Sequence, residues 1–471
     1  MTSTAIVWFR RDLRLADNPA LDHARSAHDR IVPVFIWDPD AEGDWKPGSA
    51  SRWWLHHSLV DLDERLRQRG SRLILARGQT AEQMNRIRNA TGAEAIYWNR
   101  LYEPAFVDRD SRLKADWGKQ GTTVRSFGGA LLFEPQQLLK GDGSPYLVFT
   151  PFWKRMQQRW SSPAASPEPR VLQPPARWPV SECIENLKLL PDTDWASQFS
   201  SRWRPGELPA RRRLDEFVDD RIGLYDKGRD RPDRHATSRL SPHLHFGELS
   251  PGQVVRALNE SGELPAGQGA LSFLREIAWR EFSAHLLFQH PGLPGEPLKE
   301  QYKNFPWRAR TDYADDLEAW QRGTTGIPMV DAGMRELWQT GWMHNRVRMI
   351  VASFLTKNLL VPWVEGARWF WDTLVDADLA NNSAGWQWTA GCGADAAPYF
   401  RVFNPVLQGQ KFDPDGTYVR RWCPELAGRS GRLLHQPVGE GESGHGYPRA
   451  IVDLKGSRAR ALAAFDEIRK A

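Results

Sequence analysis

The chain has 471 residues, 41% hydrophobic and 26% charged, with 63 Lys and Arg against 58 Asp and Glu for a net charge of +5. That length is too great for one compact core and predicts two or three domains, while the composition is ordinary for a globular protein. There is no run of 18 apolar residues, no basic-then-apolar leader, and no cysteine pattern for disulfides or zinc (only Cys183, Cys392 and Cys423), so a cytoplasmic protein without a metal or membrane partner is expected. The small charge excess establishes no nucleic-acid surface by itself.

Residues 1–130 alternate runs rich in Ile, Val and aromatics, at 6–9, 31–37, 72–76, 95–98 and 123–127, with helical spacing at 51–69, 81–90 and 107–119. This alternation predicts a parallel sheet covered by helices on both faces. Neither a G-x-G-x-x-G nor a Walker loop is present, so the sheet is no obvious dinucleotide or ATP site. Six prolines within 161–180 predict a long connector. Beyond about Pro205 the strand-like runs vanish, and 208–224, 253–258, 270–289, 329–339, 342–360 and 365–375 carry helical spacing with no fixed repeat. The expected organisation is an α/β domain over 1–133 with a five-stranded, Rossmann-like parallel sheet, a connector over 134–205, and an all-α domain over 206–471.

The chain carries 23 tryptophans, ten of them between Trp279 and Trp388. Indoles are bulky and their N–H needs a partner, so a core is more simply filled with Leu and Ile. The segment 376–388 sets two carboxylates, three carboxamides and two indoles side by side, which suggests a stacking site for an aromatic ligand. Asp376 and Asp378 suit sugar hydroxyls or a ring N–H, Arg348 is a plausible ion-pair partner for Asp376, and Asn382 offers both a donor and an acceptor. The plainer alternative is a polar loop closing a helical domain.

In 237–251, three hydroxyls within five residues (Thr237, Ser238, Ser241) lie beside Arg239 and make a diphosphate cradle, or simply a polar turn. Ser250 and Pro251 read as an N-cap and first helical position. Glu276, Trp279 and Arg280 share a helical face suited to reading and stacking on a base, or form a surface ion pair beside a core indole. Asn345 and Met349 lie one turn apart on one face, with Arg346 and Arg348 pointing elsewhere. Alone, they would be a surface amide and a gap-filling thioether.

Together these segments resemble the DNA photolyase/cryptochrome family. The opening 8–18 (Trp-Phe-Arg-Arg-Asp-Leu-Arg-Leu-Ala-Asp-Asn) looks like the family's start, and 237–251, 279–282, 325–334, 341–349, 376–388 and 395–408 look like its flavin-domain motifs in order. The resemblance implies an α/β antenna domain and a helical domain that holds bent FAD and binds DNA. Tyr225, Thr237, Ser238, Arg239, Leu240, Ser241, Phe273, Arg348, Asp376, Ala377 and Asp378 would bind FAD, with Asn382 facing flavin N5. Trp386, Trp363 and Trp307 match the indole chain that passes electrons to the flavin.

The closest resemblance is to class I-type cyclobutane pyrimidine dimer photolyases of bacteria. The 6-4 photolyases carry His where this chain has Asn345 and Met349; plant cryptochromes have an aliphatic residue at Met349 and Asp at Asn382; cryptochromes called DASH have Gln at Met349. The implied function is light-dependent dimer repair by electron transfer from photoexcited reduced FAD to a flipped-out dimer. Glu276, Asn345 and Met349 would meet the dimer, Trp279 and Trp388 would wall it, and Arg229, Arg280, Arg346, Arg401 and Gln408 would meet DNA. The alternatives are a blue-light receptor signalling through a protein partner, and 6-4 repair. With the sequence ending at Ala471, the long tail of signalling cryptochromes is not expected. Segments 97–104 and 53–59 resemble folate-binding members, so methenyltetrahydrofolate touching Glu103 is the expected antenna, with deazaflavin or an empty site as alternatives. The expected partner is ultraviolet-damaged DNA and the expected state a monomer.

Overall fold

The computed structural model describes residues 2–160, 164–191, 193–396, 400–439 and 446–470. Residues 161–163 and 192 of the predicted connector, and 397–399 of the 395–408 motif, lie outside the described residues. Five strands, β1 (Thr4–Phe9), β2 (Arg30–Trp37), β3 (Ile74–Arg77), β4 (Ala95–Asn99) and β5 (Thr123–Phe127), form one parallel sheet in the order β3-β2-β1-β4-β5. Four helices cross over between them, α1 (Pro19–Ala27), α2 (Ser49–Arg67), α3 (Thr80–Thr91) and α4 (Pro104–Lys119). Alternate residues of β1 serve two cores: Ala5, Val7 and Phe9 face one, Ile6 and Trp8 the other. A strand buried on both faces reads as a continuous apolar run, which is why the sequence revealed it. The strand order reverses between β1 and β4, leaving a crevice at their carboxyl ends.

Helix α1 was not expected. It has only nine residues and begins directly after the 8–18 motif, whose last side chain, Asn18, caps it by accepting from Leu21 N at 3.2 Å. The rest of that motif joins the two halves. Leu13 N donates to Phe246 O at 3.1 Å, and buried Arg14 donates to the carbonyls of Asp17, Gly129 and Gly247. Gly247 has φ +63°, and a Cβ there would lie 2.2 Å from Arg11 O, so the turn at 246–248 accepts only glycine.

Three fully buried carboxylates of the helical half complete the seam. Glu207 accepts from Leu15 N (2.6 Å) and Ala16 N (3.2 Å) and pairs with Arg65. Glu248 accepts from Trp54 Nε1 (3.0 Å), Ser58 Oγ and Gly206 N (2.7 Å), with His243 Nδ1 at 2.5 Å. Glu281 accepts from Leu132 N (2.9 Å) and Phe133 N (3.3 Å). Each carboxylate satisfies N–H or O–H groups that the seam removes from water.

The 134–205 connector is laid over both cores. The helix Phe149–Gln158 buries Phe149, Phe152 and Met156 in the helical core, whereas Leu172, Leu187, Leu189, Phe199 and Trp203 join the α/β core. Beyond it the fold is helical, built chiefly from Glu207–Asp220, Pro251–Glu260, Gln268–Gln289, Arg310–Arg322, Pro328–Thr340, Asn345–Ser353, Trp363–Thr373, Leu379–Ala390 and Leu454–Lys470. Ser250 and Gln253 form a capping box with Pro251 at the first turn. The expected single helix over 342–360 is corrected. Its first turn is displaced because Gly341, at φ +66°, ends the preceding helix and His344 Nδ1 accepts from Arg346 N, so the helix starts at Asn345. It closes in a π-helical turn, Phe354–Asn358. The cysteines are free, Cys183 exposed and the others buried. Among the described residues no helix is long and apolar enough to cross a membrane.

Candidate functional site

A cavity of about 700 Å³ opens in the helical half, within the size range of cofactor and ligand sites. The segment 376–388 enters it as a helix start, which sequence spacing did not reveal. Asp378 caps Leu379–Ala390, its Oδ1 accepting from Asn381 N (2.9 Å) and Asn381 Nδ2 (2.7 Å). Its Oδ2 lies 3.4 Å from His245 Nδ1. Burial alone would raise this carboxyl, but His245, Arg280 and the Asn381 amide hold it well below the ordinary range. Burial lowers His245 in turn, against the opposing pull of Asp378.

One residue pair earlier, Arg348 Nη2 meets Asp376 Oδ2 at 2.8 Å and Oδ1 at 3.1 Å, and Ser241 Oγ donates to the same carboxylate at 2.6 Å. The ion pair expected from sequence is present. Asn382 donates from Nδ2 to Ala367 O at 2.9 Å, so its Oδ1 remains as an acceptor. Tyr225, Thr237, Ser238, Arg239, Leu240, Phe273 and Ala377 line the same cavity.

Glu276, Trp279, Asn345, Met349 and Trp388 line a more exposed part of it. Arg229 Nη1 lies 2.5 Å from Glu276 Oε1. Trp279 stacks on Phe149 with centroids 3.7 Å apart, and Trp388 Nε1 donates to Asp395 O at 3.1 Å. Arg346 and Arg348 do not point away from Asn345 and Met349. Both line the cavity, because the helix begins only at Asn345 and its first turn faces the opening. Arg346 pairs with Asp230 at 2.8 Å and lies over the Phe412 ring. Arg280 also departs from expectation: its guanidinium turns inward to Ala130 O (2.7 Å), beside Asp378 rather than towards a nucleic acid. Arg401 is exposed over Phe403, and half-buried Gln408 lies on the helix Pro405–Phe412; neither lines the cavity.

Of the three indoles expected to carry electrons, only Trp386 lines the cavity. It is buried edge-on against Phe370 (5.0 Å) and Trp320 (6.1 Å). Trp363 is buried, while Trp307 is partly buried against Phe305. Gly366 lies beneath Trp386, and a Cβ there would be 2.1 Å from the indole.

A smaller cleft of about 70 Å³ lies in the β1–β4 crevice and extends over the end of β2, lined by Trp8, Phe35, Trp37, Leu101, Phe106, Arg109 and Trp371 among others. Glu103 is not on it. Glu103 pairs with Arg11 and borders a separate recess towards Asp378 and Arg280.

Residues 5–170 match the family described as DNA photolyase, and 273–467 the FAD binding domain of DNA photolyase. A deoxyribodipyrimidine photo-lyase of Agrobacterium fabrum is 47% identical over 100% of this chain and 99% of its own. The chain belongs to the DNA photolyase/cryptochrome family. Cryptochrome-1 of Arabidopsis thaliana is 40% identical, over 98% of this photolyase-family chain and 70% of its own. A solved class III photolyase from Agrobacterium tumefaciens superposes with a TM-score of 0.94 at 46% identity, covering 100% of this chain and 98% of the other.

The helical half is thus the family's FAD-binding domain, and the donor set fits that cofactor. Hydroxyls of Thr237, Ser238 and Ser241 and the Arg239 guanidinium suit phosphates and sugars, and the Asn382 oxygen suits a ring N–H. Sequence reasoning missed His245, Asn381 and Trp342, which also line the cavity. His245 was within reach, since it lies one turn beyond Ser241 in a segment already singled out.

Proposed function

We propose that the chain is a light-driven lyase that reverses cyclobutane pyrimidine dimers in DNA, acting as a monomer on a dimer drawn out of the duplex. One observation carries the reading: Glu276, Asn345 and Met349 share a single cavity with Asp376, Asp378 and Asn382. A substrate base and a flavin can therefore be held side by side. Bound FAD would supply light absorption and a transferable electron.

The chain's own residues position the partners. The Glu276 oxygen not engaged by Arg229 accepts a pyrimidine N–H, and the Arg229 and Asn345 donors reach its carbonyls. Met349, Trp279 and Trp388 give an apolar wall, while Arg346, Arg401 and Gln408 meet the surrounding strand. Asn382, tethered to Ala367 O, would offer its oxygen to the ring edge of a bound flavin at N5. Trp386 on the cavity, buried Trp363 and partly buried Trp307 are the easily oxidised rings that would serve as a relay.

The solved class III relative supports assignment to that class rather than to class I. The crevice between β1 and β4 is where parallel sheets bind ligands and is the proposed antenna seat, for folate before deazaflavin. Its volume does not enclose either chromophore whole, and the Glu103 contact is not favoured because that carboxylate is committed to Arg11.

Reduced holoprotein illuminated with dimer-containing oligothymidine should restore the thymine absorption band. No recovery with FAD bound removes the repair reading in favour of a receptor. Reversal of a defined 6-4 lesion alone would replace the substrate. An additional near-ultraviolet absorption peak in the purified protein reports folate.

A further inference from the structure

Trp388 and Thr389 line the large cavity and also border a second pocket, of about 100 Å³, at the C-terminal end of the helix Leu379–Ala390. Gly391 follows that helix at φ +95°, and a Cβ there would lie 2.8 Å from the Tyr302 hydroxyl and 3.5 Å from Lys357 Nζ. Only glycine leaves this point open, and a phenol and an amine converge on it. Lys357 belongs to the π-helical turn Phe354–Asn358, a distortion that frequently accompanies functional sites. It is 1% exposed; its Nζ donates to Ala390 O at 2.8 Å and lies 3.1 Å from the centre of the Phe400 ring. Lys299 Nζ donates to Gly391 O at 3.2 Å.

Capping accounts for one of these amines, since a helix C-terminus carries about half a negative charge. It does not account for two, with the Arg401 guanidinium on the same pocket. Among the described residues none of the three meets a carboxylate. Nearby Cys392 supplies no negative charge, because burial pushes its thiol up to about 12. Burial, and after it Lys299, hold the Lys357 amine well below its ordinary range, the response of a cation site without a counter-charge. Hydroxyl capacity is open as well. Ser353 Oγ accepts from Phe403 N at 3.2 Å, but among the described residues neither it nor the Tyr302 hydroxyl donates a hydrogen bond.

We propose that this pocket binds a free, small inorganic oxyanion of the phosphate class between Lys357, Lys299 and the Tyr302 hydroxyl. A water takes up about 30 Å³ of liquid, so the pocket has room for a guest of a few heavy atoms. Lys357 and Tyr302 are 1% and 6% exposed, which shuts out a phosphate that carries two ester-linked chains. The guest would supply the counter-charge that the two lysines lack and accept from the uncommitted hydroxyls. It would also tie the helix end to Phe400, Arg401 and Phe403, which line the same pocket from the following segment. This site stands whether or not the repair reading does.

Inorganic phosphate titrated calorimetrically into FAD-loaded protein at fixed ionic strength should reveal one site. Lys357→Met keeps an unbranched stem without the charge and should weaken binding at least about tenfold, the scale of one charge-assisted hydrogen bond. Lys299→Gln, at a half-buried position, should weaken it severalfold with flavin absorbance unchanged, and it decides the matter if Lys357→Met does not fold. Saturating oligothymidine without terminal phosphates should leave phosphate affinity as it was. A wild-type protein that binds no phosphate overturns the site, as does wild-type affinity in either folded variant. Displacement of phosphate by the oligothymidine overturns the assignment to a free anion.

Discussion

The part of the cavity around Asp376 and Asp378 and the part around Glu276 and Asn345 are both polar, but they commit their groups differently. Asp376 already holds Arg348 and Ser241, and Asp378 holds Asn381 and faces His245. Glu276 keeps one oxygen free, and Asn345 is exposed. A resident cofactor is bound once and favours groups fixed in advance; a passing substrate favours groups whose bonding capacity is still open.

The largest expected effect that would break this contrast is on the fixed side. Asp376→Ala leaves the half-buried Arg348 guanidinium without its carboxylate, and the purified protein should lack flavin absorbance. If flavin is retained at wild-type occupancy, the fixed side is not what holds it. Gly366→Ala comes next, because its new methyl must displace the Trp386 ring. Overpacking of that kind costs about 1–3 kcal/mol, and slower photoreduction with flavin still bound would be read by absorbance under illumination.

On the open side, Glu276→Gln should keep flavin but slow dimer reversal about tenfold, the scale of one charged hydrogen bond; equal rates would remove Glu276 from substrate contact. The smallest effect is a pair of opposite pH slopes. Burial pushes Glu281 up to about 7, so its contribution to stability is complete below about pH 4.5 and is lost as pH rises towards 7. Asp378 is held low, so its contribution is present above its ordinary range and is lost as pH falls below it. Glu281→Gln should flatten the decline in melting temperature between pH 4.5 and 7 without altering the acid limb.

The same contrast explains what the sequence disclosed. Strands β1 to β4 were legible because continuous apolar runs mark strands buried on both faces, although β3 begins two residues later than expected; β5, half-buried or exposed along its length, carries no such run. The helix Leu379–Ala390 was not legible: its buried positions include Ser383, Trp386, Gln387 and Thr389 rather than aliphatics alone, so no apolar stripe of helical period announces it. The Arg348–Asp376 pair could be anticipated from charge, whereas the inward turn of Arg280 depends on Ala130 O, a distant carbonyl that no local pattern reveals. The 8–18 motif was recognised as a family signature, but its physical work at the seam with Phe246 and Gly247 emerged only from the fold.

That seam has a consequence for light capture. Glu207 beside Glu248, and Glu281 apart from them, clamp the halves at two places, so the two parts cannot slide or tilt independently. Any pigments seated in the β1–β4 crevice and the helical cavity would keep one mutual distance and one angle between their transition dipoles. Excitation transfer falls steeply with both, so the coupling efficiency is set when the chain folds rather than when a photon arrives.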